Sequence, residues 1–365
     1  MKVALFVYSL GAGGAERQVG ILARRLVERR YEVELFLVHD TIFYELPENI
    51  KVTVLDDAPL FVHPLKKLLR LVPLARKYAK LCDADISISF MNRPNYINVL
   101  SKFFGNKARI VVAERGAPRF HFKGIEGAVS KVLIRHLYPR ADLVVANSRG
   151  SAKDLQEHFG IANVITIPNA FDLDAIRELA KEPIPEKRER FTFITVGRLD
   201  RGKNHRLLIE ALAKSGLDAD LWIIGEGPQR ANLEKLIAKL GLQERVKLLG
   251  RQTNPFAYLA KADCFVFSST NEGFPNVLVE AMACGLPVIS TDCPFGPAEI
   301  LENGKYGILV PNGDMEAMSK AMRKIATEAI LRKNLAKNAT IRAKDFARQK
   351  ILNRWIKVID EKKFS

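Results

Sequence analysis

The chain has 365 residues, 48% of them hydrophobic and 27% charged, an ordinary globular composition that excludes disorder, collagen-like repeats and amyloid-like arrays. Four scattered cysteines, Cys82, Cys264, Cys284 and Cys293, form no Cys-x-x-Cys pair, which argues against a disulfide framework or zinc ribbon and fits a reducing, cytosolic compartment. Lys and Arg outnumber Asp and Glu by 57 to 41, a net charge of +16, so an anionic partner is expected: nucleic acid, acidic lipid or phosphorylated metabolites.

The length suggests two domains. The opening apolar run meets Gly11-Ala-Gly-Gly14 rather than a cleavage site, so it reads as a buried strand and not a signal peptide. No stretch approaches the roughly 18 apolar residues of a membrane span. Short strands are predicted at Val3–Ser9, Val33–Val38, Val52–Leu55, Ile86–Phe90, Ile110–Ala113 and Leu143–Asn147, with helical segments such as Ala15–Arg30 between them. The second part repeats the plan. Strands are predicted at Phe191–Val196, Ala219–Ile224, Val246–Leu249, Cys264–Phe267, Val288–Ser290 and Gly307–Val310. Helices are predicted at Lys203–Ser215, Pro228–Leu240, Pro255–Lys261, Pro275–Cys284 and Met315–Glu328. Apolar strands alternating with helices specify parallel sheets covered on both faces. The segment Lys181–Arg190, with two prolines and seven charges, reads as the linker between two Rossmann-like domains. Ligands are expected at the carboxyl ends of the strands, in a cleft between the two sheets.

Three segments can carry chemistry. Ser9-Leu-Gly-Ala-Gly-Gly-Ala-Glu-Arg17 follows the first strand and opens a helix, where Gly13 and Gly14 would let a phosphate approach free N–H groups. A dinucleotide fingerprint and a plain tight turn are the alternatives; Glu16 stands where the fingerprint needs its third Gly or Ala. Val196-Gly-Arg-Leu-Asp-Arg-Gly-Lys-Asn204 sets Arg198 and Lys203 around a glycine turn, suited to a diphosphate or simply to solvent. Glu272-Gly-Phe-Pro-Asn-Val-Leu-Val-Glu280 places one carboxylate before a helix and another on it; a capping acid plus an exposed helical Glu would give the same spacing. Three Asp-x-Asp pairs, at Asp83/Asp85, Asp172/Asp174 and Asp218/Asp220, fall at element edges and read as turn or cap residues, with no metal site expected.

Taken in order, Gly13-Gly-Ala-Glu-Arg17, Ile167-Pro-Asn-Ala170, Gly197-Arg-Leu-x-x-x-Lys203 and Glu272-Gly-Phe-Pro with Glu280 resemble the retaining nucleotide-sugar glycosyltransferases of the GT-B fold (family 4). The resemblance spans essentially the whole chain. It implies an acceptor-binding domain over 1–172, a donor-binding domain over 173–345 and a helix over 346–365 that crosses back to the first domain. It implies that Arg198 and Lys203 neutralise the donor diphosphate, and that Glu272 binds sugar hydroxyls beside the backbone of Gly273, Phe274, Pro275 and Asn276. Glu280 would hold the ribose, Arg251 would lie near the base, and Gly13 and Gly14 would close over the phosphates. No metal or other cofactor is implied. The leaving diphosphate would deprotonate the acceptor, so no nucleophilic side chain is needed. Where many relatives carry a His near the reacting sugar, this chain has Glu114-Arg115, and these two are expected on the acceptor side.

The opening residues and Asp292-Cys-Pro-Phe-Gly-Pro-Ala-Glu-Ile300 look most similar to bacterial transferases that extend a lipid-linked oligosaccharide for protein glycosylation, notably N-acetylgalactosamine transferases. The expected partners are a UDP-sugar and a polyprenyl-diphosphate-linked saccharide. A transferase of lipopolysaccharide, capsule or other glycan assembly with a different sugar or acceptor, an epimerase-like enzyme, and a non-catalytic binder of anionic lipid or polyanion are the alternatives.

The segment His63–Lys80 carries six Lys/Arg and no acid. At about 100° per residue, Lys66, Arg70, Lys77 and Lys80 share one face while Leu68, Leu71, Val72 and Ala75 lie opposite. With Lys67 and Arg70 this suggests a face for acidic lipid and the acceptor diphosphate, on the inner side of the cytoplasmic membrane. A surface helix packed on the sheet is the simpler reading. No zinc spacing or RNP signature supports a nucleic-acid partner.

Overall fold

A computed structural model describes residues 1–11, 13–43, 45–56, 68–121 and 124–361. The chain forms two compact units, 1–170 with 348–365 and 171–347.

The first unit is built on seven strands: β1 (Lys2–Val7), β2 (Glu32–Leu37), β3 (Lys51–Val54), β4 (Ile86–Phe90), β5 (Arg109–Glu114), β6 (Leu143–Ala146) and β7 (Val164–Thr166). All neighbours are parallel, in the order β3-β2-β1-β4-β5-β6-β7. The strand period of two divides the apolar residues between two cores. Ala4 and Phe6 join Tyr78, Val112 and Val144 on one face, while Val3, Leu5 and Val7 join Leu22, Leu35 and Val111 on the other.

The second unit carries six strands: β8 (Phe191–Val196), β9 (Ala219–Ile224), β10 (Val246–Gly250), β11 (Cys264–Phe267), β12 (Val288–Asp292) and β13 (Ile308–Pro311). Their order, β10-β9-β8-β11-β12-β13, is again all parallel. Ile194, Trp222 and Ile224 face one core and Phe193, Leu221 and Ile223 the other. In each sheet the order reverses once, between β1 and β4 and between β8 and β11. These switch points open the crevices that α/β sheets use for ligands.

The helix Arg348–Asp360 returns to the first unit. Its Ile351, Leu352, Trp355, Val358 and Ile359 recur at helical spacing and are buried with Val3, Leu5 and Phe90. The Arg109 guanidinium donates to the carbonyl of Val358 at 2.7 Å.

Three expectations change. The units meet at Ala170/Phe171, so Lys181–Arg190 lies inside the second unit and is not the junction. Its charges lie along that unit's surface through ion pairs: Arg188 reaches Asp263 at 3.2 Å and Arg190 reaches Asp218 at 2.8 Å. The strand β7 was not anticipated, because three residues are too few to show periodicity. In the basic segment residues 68–69 are helical, and the helix Leu71–Leu81 buries Leu71, Leu74, Ala75 and Tyr78 while Val72, expected on the apolar face, is exposed. Pro73 has no N–H for the carbonyl of Leu69, and a turn at Arg70 separates residues 68–69 from the helix.

Candidate active site

In the second unit the carboxyl-end loops lean on one another through main-chain bonds. The Gly197 amide donates to Ile224 at 2.9 Å, and Leu199 to Glu226 at 3.0 Å. The Gly225 amide donates to Gly250 at 2.8 Å, and Thr270 to Gly202 at 2.8 Å. Two glycines make this closeness possible. A Cβ at Gly225 would fall on the carbonyl of Gly197, and one at Gly227 would sit 2.7 Å from the carbonyl carbon of Leu199.

This scaffold brings Lys203 and Glu272 together across the switch point. Lys203 leaves β8, Glu272 leaves β11, and Lys203 Nζ donates to Glu272 Oε1 at 2.5 Å. Each end is held separately. The Lys203 amide donates to Asp200 Oδ1 at 3.0 Å, and the Ser268 hydroxyl to the Lys203 carbonyl at 2.8 Å. The Glu272 amide donates to the Pro294 carbonyl at 2.6 Å, and the Phe295 amide returns a bond to the Glu272 carbonyl at 2.7 Å. The ammonium also lies 5.9 Å from the centre of the Phe267 ring. The side chains stay 30% and 14% exposed, so both charges can be reached from solvent. The carboxylate also acts on Cys293: burial, then the Glu272 charge, push that thiol up to about 12. Burial, with the adjacent Lys203 cation, holds His205 down at about 4, so it is neutral at pH 7.

Arg198 is exposed immediately after β8, beside Gly197. Arg251 is exposed after Gly250, whose φ of +70° turns the chain at the end of β10. The helix Asn276–Ala283 begins four residues after Glu272 and carries Glu280, which is 9% exposed, on its body. Gly273, Phe274 and Pro275 are buried. The Phe274 ring belongs to the core, 5.5 Å from Phe346 and 6.5 Å from Phe171, so only its backbone can serve a ligand. Pro275 offers no N–H, and its ring packs where Gly296 (φ +100°) leaves room; a Cβ there would lie 2.5 Å from Pro275 Cδ.

In the first unit Gly13 caps the helix Gly14–Glu28 and Gly14 is its exposed first residue. The Glu16 carboxylate folds over Gly13, and burial raises its pKa. Glu114 ends β5 with its carboxylate committed. Oε1 accepts the amides of Arg115 at 2.9 Å and Gly116 at 3.0 Å; Oε2 accepts Tyr138 Oη at 2.8 Å and Asn92 Nδ2 at 3.2 Å. It therefore shapes the loop that presents Arg115. Arg70 pairs with the buried Asp56, and Lys77 donates to the Leu55 carbonyl at 2.8 Å. Part of the basic face is thus turned onto the protein itself. Lys66 and Lys67 lie outside the described residues.

The Asp-x-Asp pairs are structural. Asp83 and Asp85 engage Lys2, Asp172 caps the helix Leu173–Leu179, and Asp218 and Asp220 face Arg190. Among the described residues no three His, Cys, Asp or Glu side chains converge as metal ligands. Nor is any helix among them long and apolar enough to cross a membrane.

At the switch point of this Rossmann-like sheet the Lys203 ammonium can pair with an anionic group and the Glu272 carboxylate can accept from hydroxyls. The chain belongs to the family 4 glycosyltransferases: residues 12–175 match the model of Glycosyltransferase Family 4, and residues 176–342 match Glycosyl transferases group 1. It is an enzyme of the GT-B class.

One relative is the N-acetylgalactosamine-N,N'-diacetylbacillosaminyl-diphospho-undecaprenol 4-alpha-N-acetylgalactosaminyltransferase of Campylobacter jejuni. It is 40% identical over 357 residues, covering 96% of this chain and 97% of that protein. An uncharacterized glycosyltransferase of Methanocaldococcus jannaschii is 31% identical over 81% of this chain and 83% of its own. Among solved structures, Anabaena HepE with UDP-glucose superposes with a TM-score of 0.79 at 23% identity, covering 98% of this chain and 99% of that one.

Proposed function

We propose that the enzyme transfers N-acetylgalactosamine, with retention of configuration, from UDP-N-acetylgalactosamine to a polyprenyl-diphosphate-linked saccharide. The observation that carries this reading is the Lys203–Glu272 bond at the switch point of the second sheet. It sets a phosphate-binding cation beside a carboxylate able to accept from sugar hydroxyls. The choice of sugar and acceptor rests on the similarity to the Campylobacter jejuni enzyme, whose name specifies both.

In this reading Arg198 and Lys203 take the diphosphate, and their charge stabilises it as it leaves. Glu272 orients the sugar beside the amides of Phe274 and Asn276, Glu280 holds the ribose, and Arg251 lies by the base. No metal is required, because the two cations supply the charge. The first unit binds the acceptor, with Gly13 and Gly14 reaching the phosphates and Glu114 and Arg115 on the acceptor side. The enzyme works at the cytoplasmic face of the membrane, held peripherally by the basic segment that includes Lys66 and Lys67.

UDP release from a panel of UDP-sugars, with and without polyprenyl-diphosphate-linked saccharides, tests this. Release from UDP-N-acetylgalactosamine that depends on the acceptor is the expected result. Release that is equal without acceptor, or confined to another sugar, contradicts the assignment.

A further inference from the structure

Arg115 stands at the carboxyl end of β5, next to the end of β4 and the switch point of the first sheet. Its guanidinium carbon lies 5.1 Å from the centre of the Phe90 ring and 5.8 Å from that of Trp355. The two rings are themselves 5.8 Å apart. Nε and Nη1 are closed off from solvent against this pair and meet no hydrogen-bond acceptor. Glu114, the adjacent carboxylate, is already committed to four donors. The loop is pinned from the other side by Asn147 Nδ2, which donates to the Arg115 carbonyl at 2.9 Å. Met91, directly after Phe90, holds a left-handed φ of +71°. Such strain in a non-glycine residue concentrates at functional sites.

A guanidinium lying against two aromatic rings keeps its charge and its direction. The residue retains partial exposure. With Nε and Nη1 lacking an acceptor among the described residues, the ion is incompletely satisfied, and a ligand oxyanion would complete it.

We propose that Arg115 anchors a phosphate oxygen of a substrate diphosphate, and that Trp355 is the positioning residue that holds it there with Phe90. The helix Arg348–Asp360 then contributes to the reaction through one side chain 240 residues from the cation it orients. This rests on the transferase reading above. Both substrates in that reading carry a diphosphate, and the test separates them.

The variants are Arg115→Met, Arg115→Lys, Trp355→Leu and Trp355→Phe in the full chain, with thermal unfolding to confirm that each folds. Two constants are measured: KM for the lipid-linked acceptor and Kd for UDP. Arg115→Met is expected to weaken one of them at least tenfold while the other moves less than twofold. A raised acceptor KM assigns the anchor to the acceptor diphosphate, and a raised Kd for UDP assigns it to the donor. Trp355→Leu is expected to shift the same constant about threefold, with Trp355→Phe restoring it. Arg115→Lys keeps the charge but not the planar fork, and should fall between wild type and Met. If Arg115→Met turns over with both constants unchanged, or loses only kcat, the anchor is wrong while the transferase assignment stands. If Trp355→Leu leaves both constants unchanged, Trp355 is not a positioning residue. Wild-type enzyme without turnover on any acceptor contradicts both readings.

Discussion

Lys203→Ala will cost about a hundredfold in kcat/KM, which corresponds to ~2.7 kcal/mol of transition-state stabilisation. It will also weaken UDP binding by roughly tenfold, a charge-assisted hydrogen bond being worth about 1.5–3 kcal/mol. The fold will hardly notice. The Lys203–Glu272 pair is partly exposed, at 30% and 14% for the two side chains, and such pairs contribute about 1 kcal/mol or less to stability. The Lys203 loop is fixed by its backbone bonds to Asp200 and Ser268, which an alanine keeps. Glu272→Ala should lose turnover similarly, with a smaller effect on UDP, since its assigned partner is the sugar. The double variant should be much less than additive, because each single change already breaks the shared bond. Steady-state kinetics with calorimetric UDP binding on the three variants checks this. Wild-type turnover in either single variant would contradict the assigned roles.

Gly225→Ala acts through the backbone. Gly225 has φ +140°, and its missing Cβ points at the Gly197 carbonyl, with the carbonyl carbon only 2.9 Å from where that atom would sit. Both the strained backbone and the collision oppose alanine, so a loss of roughly 3 kcal/mol or more is expected. For a unit of this size that lowers the melting temperature by about 10 °C. Arg198 follows Gly197 directly, so UDP affinity should fall as well. Gly216→Ala is the control: it too has a positive φ, +66°, but nothing lies within 4 Å of its Cβ position. It should cost only about 1 kcal/mol and leave UDP binding unchanged. Thermal unfolding of the two variants separates the contact from the backbone effect. Equal losses would show that the Gly225–Gly197 approach is not what forbids a side chain at Gly225.

The parallel sheets were legible because their strands are apolar on both faces and punctuated by turns. β8, β9 and β11 have the predicted bounds. The loop residues Arg198, Lys203 and Glu272 were legible as types and spacings, yet nothing in the sequence shows that Lys203 touches Glu272. That depends on β8 lying beside β11, a pairing of strands some 70 residues apart. The latch between Glu272 and Pro294-Phe295 has the same origin. The Phe90–Arg115–Trp355 cluster was not legible at all, since its members come from three separate parts of the chain and an aromatic residue at helical spacing signals a core. The charged segment Lys181–Arg190 misled for another reason. Charge and proline argue against a core but not against a surface held by ion pairs such as Arg190–Asp218.

The most direct test of the central claim is the product itself. The enzyme is incubated with UDP-N-acetylgalactosamine and an undecaprenyl-diphosphate-linked saccharide, and the glycolipid is analysed by mass spectrometry and NMR. The expected product is a lipid-linked saccharide longer by N-acetylhexosamine, with the new linkage in the α configuration of the donor. An unextended acceptor with UDP-N-acetylgalactosamine consumed, or a new β linkage, would contradict it.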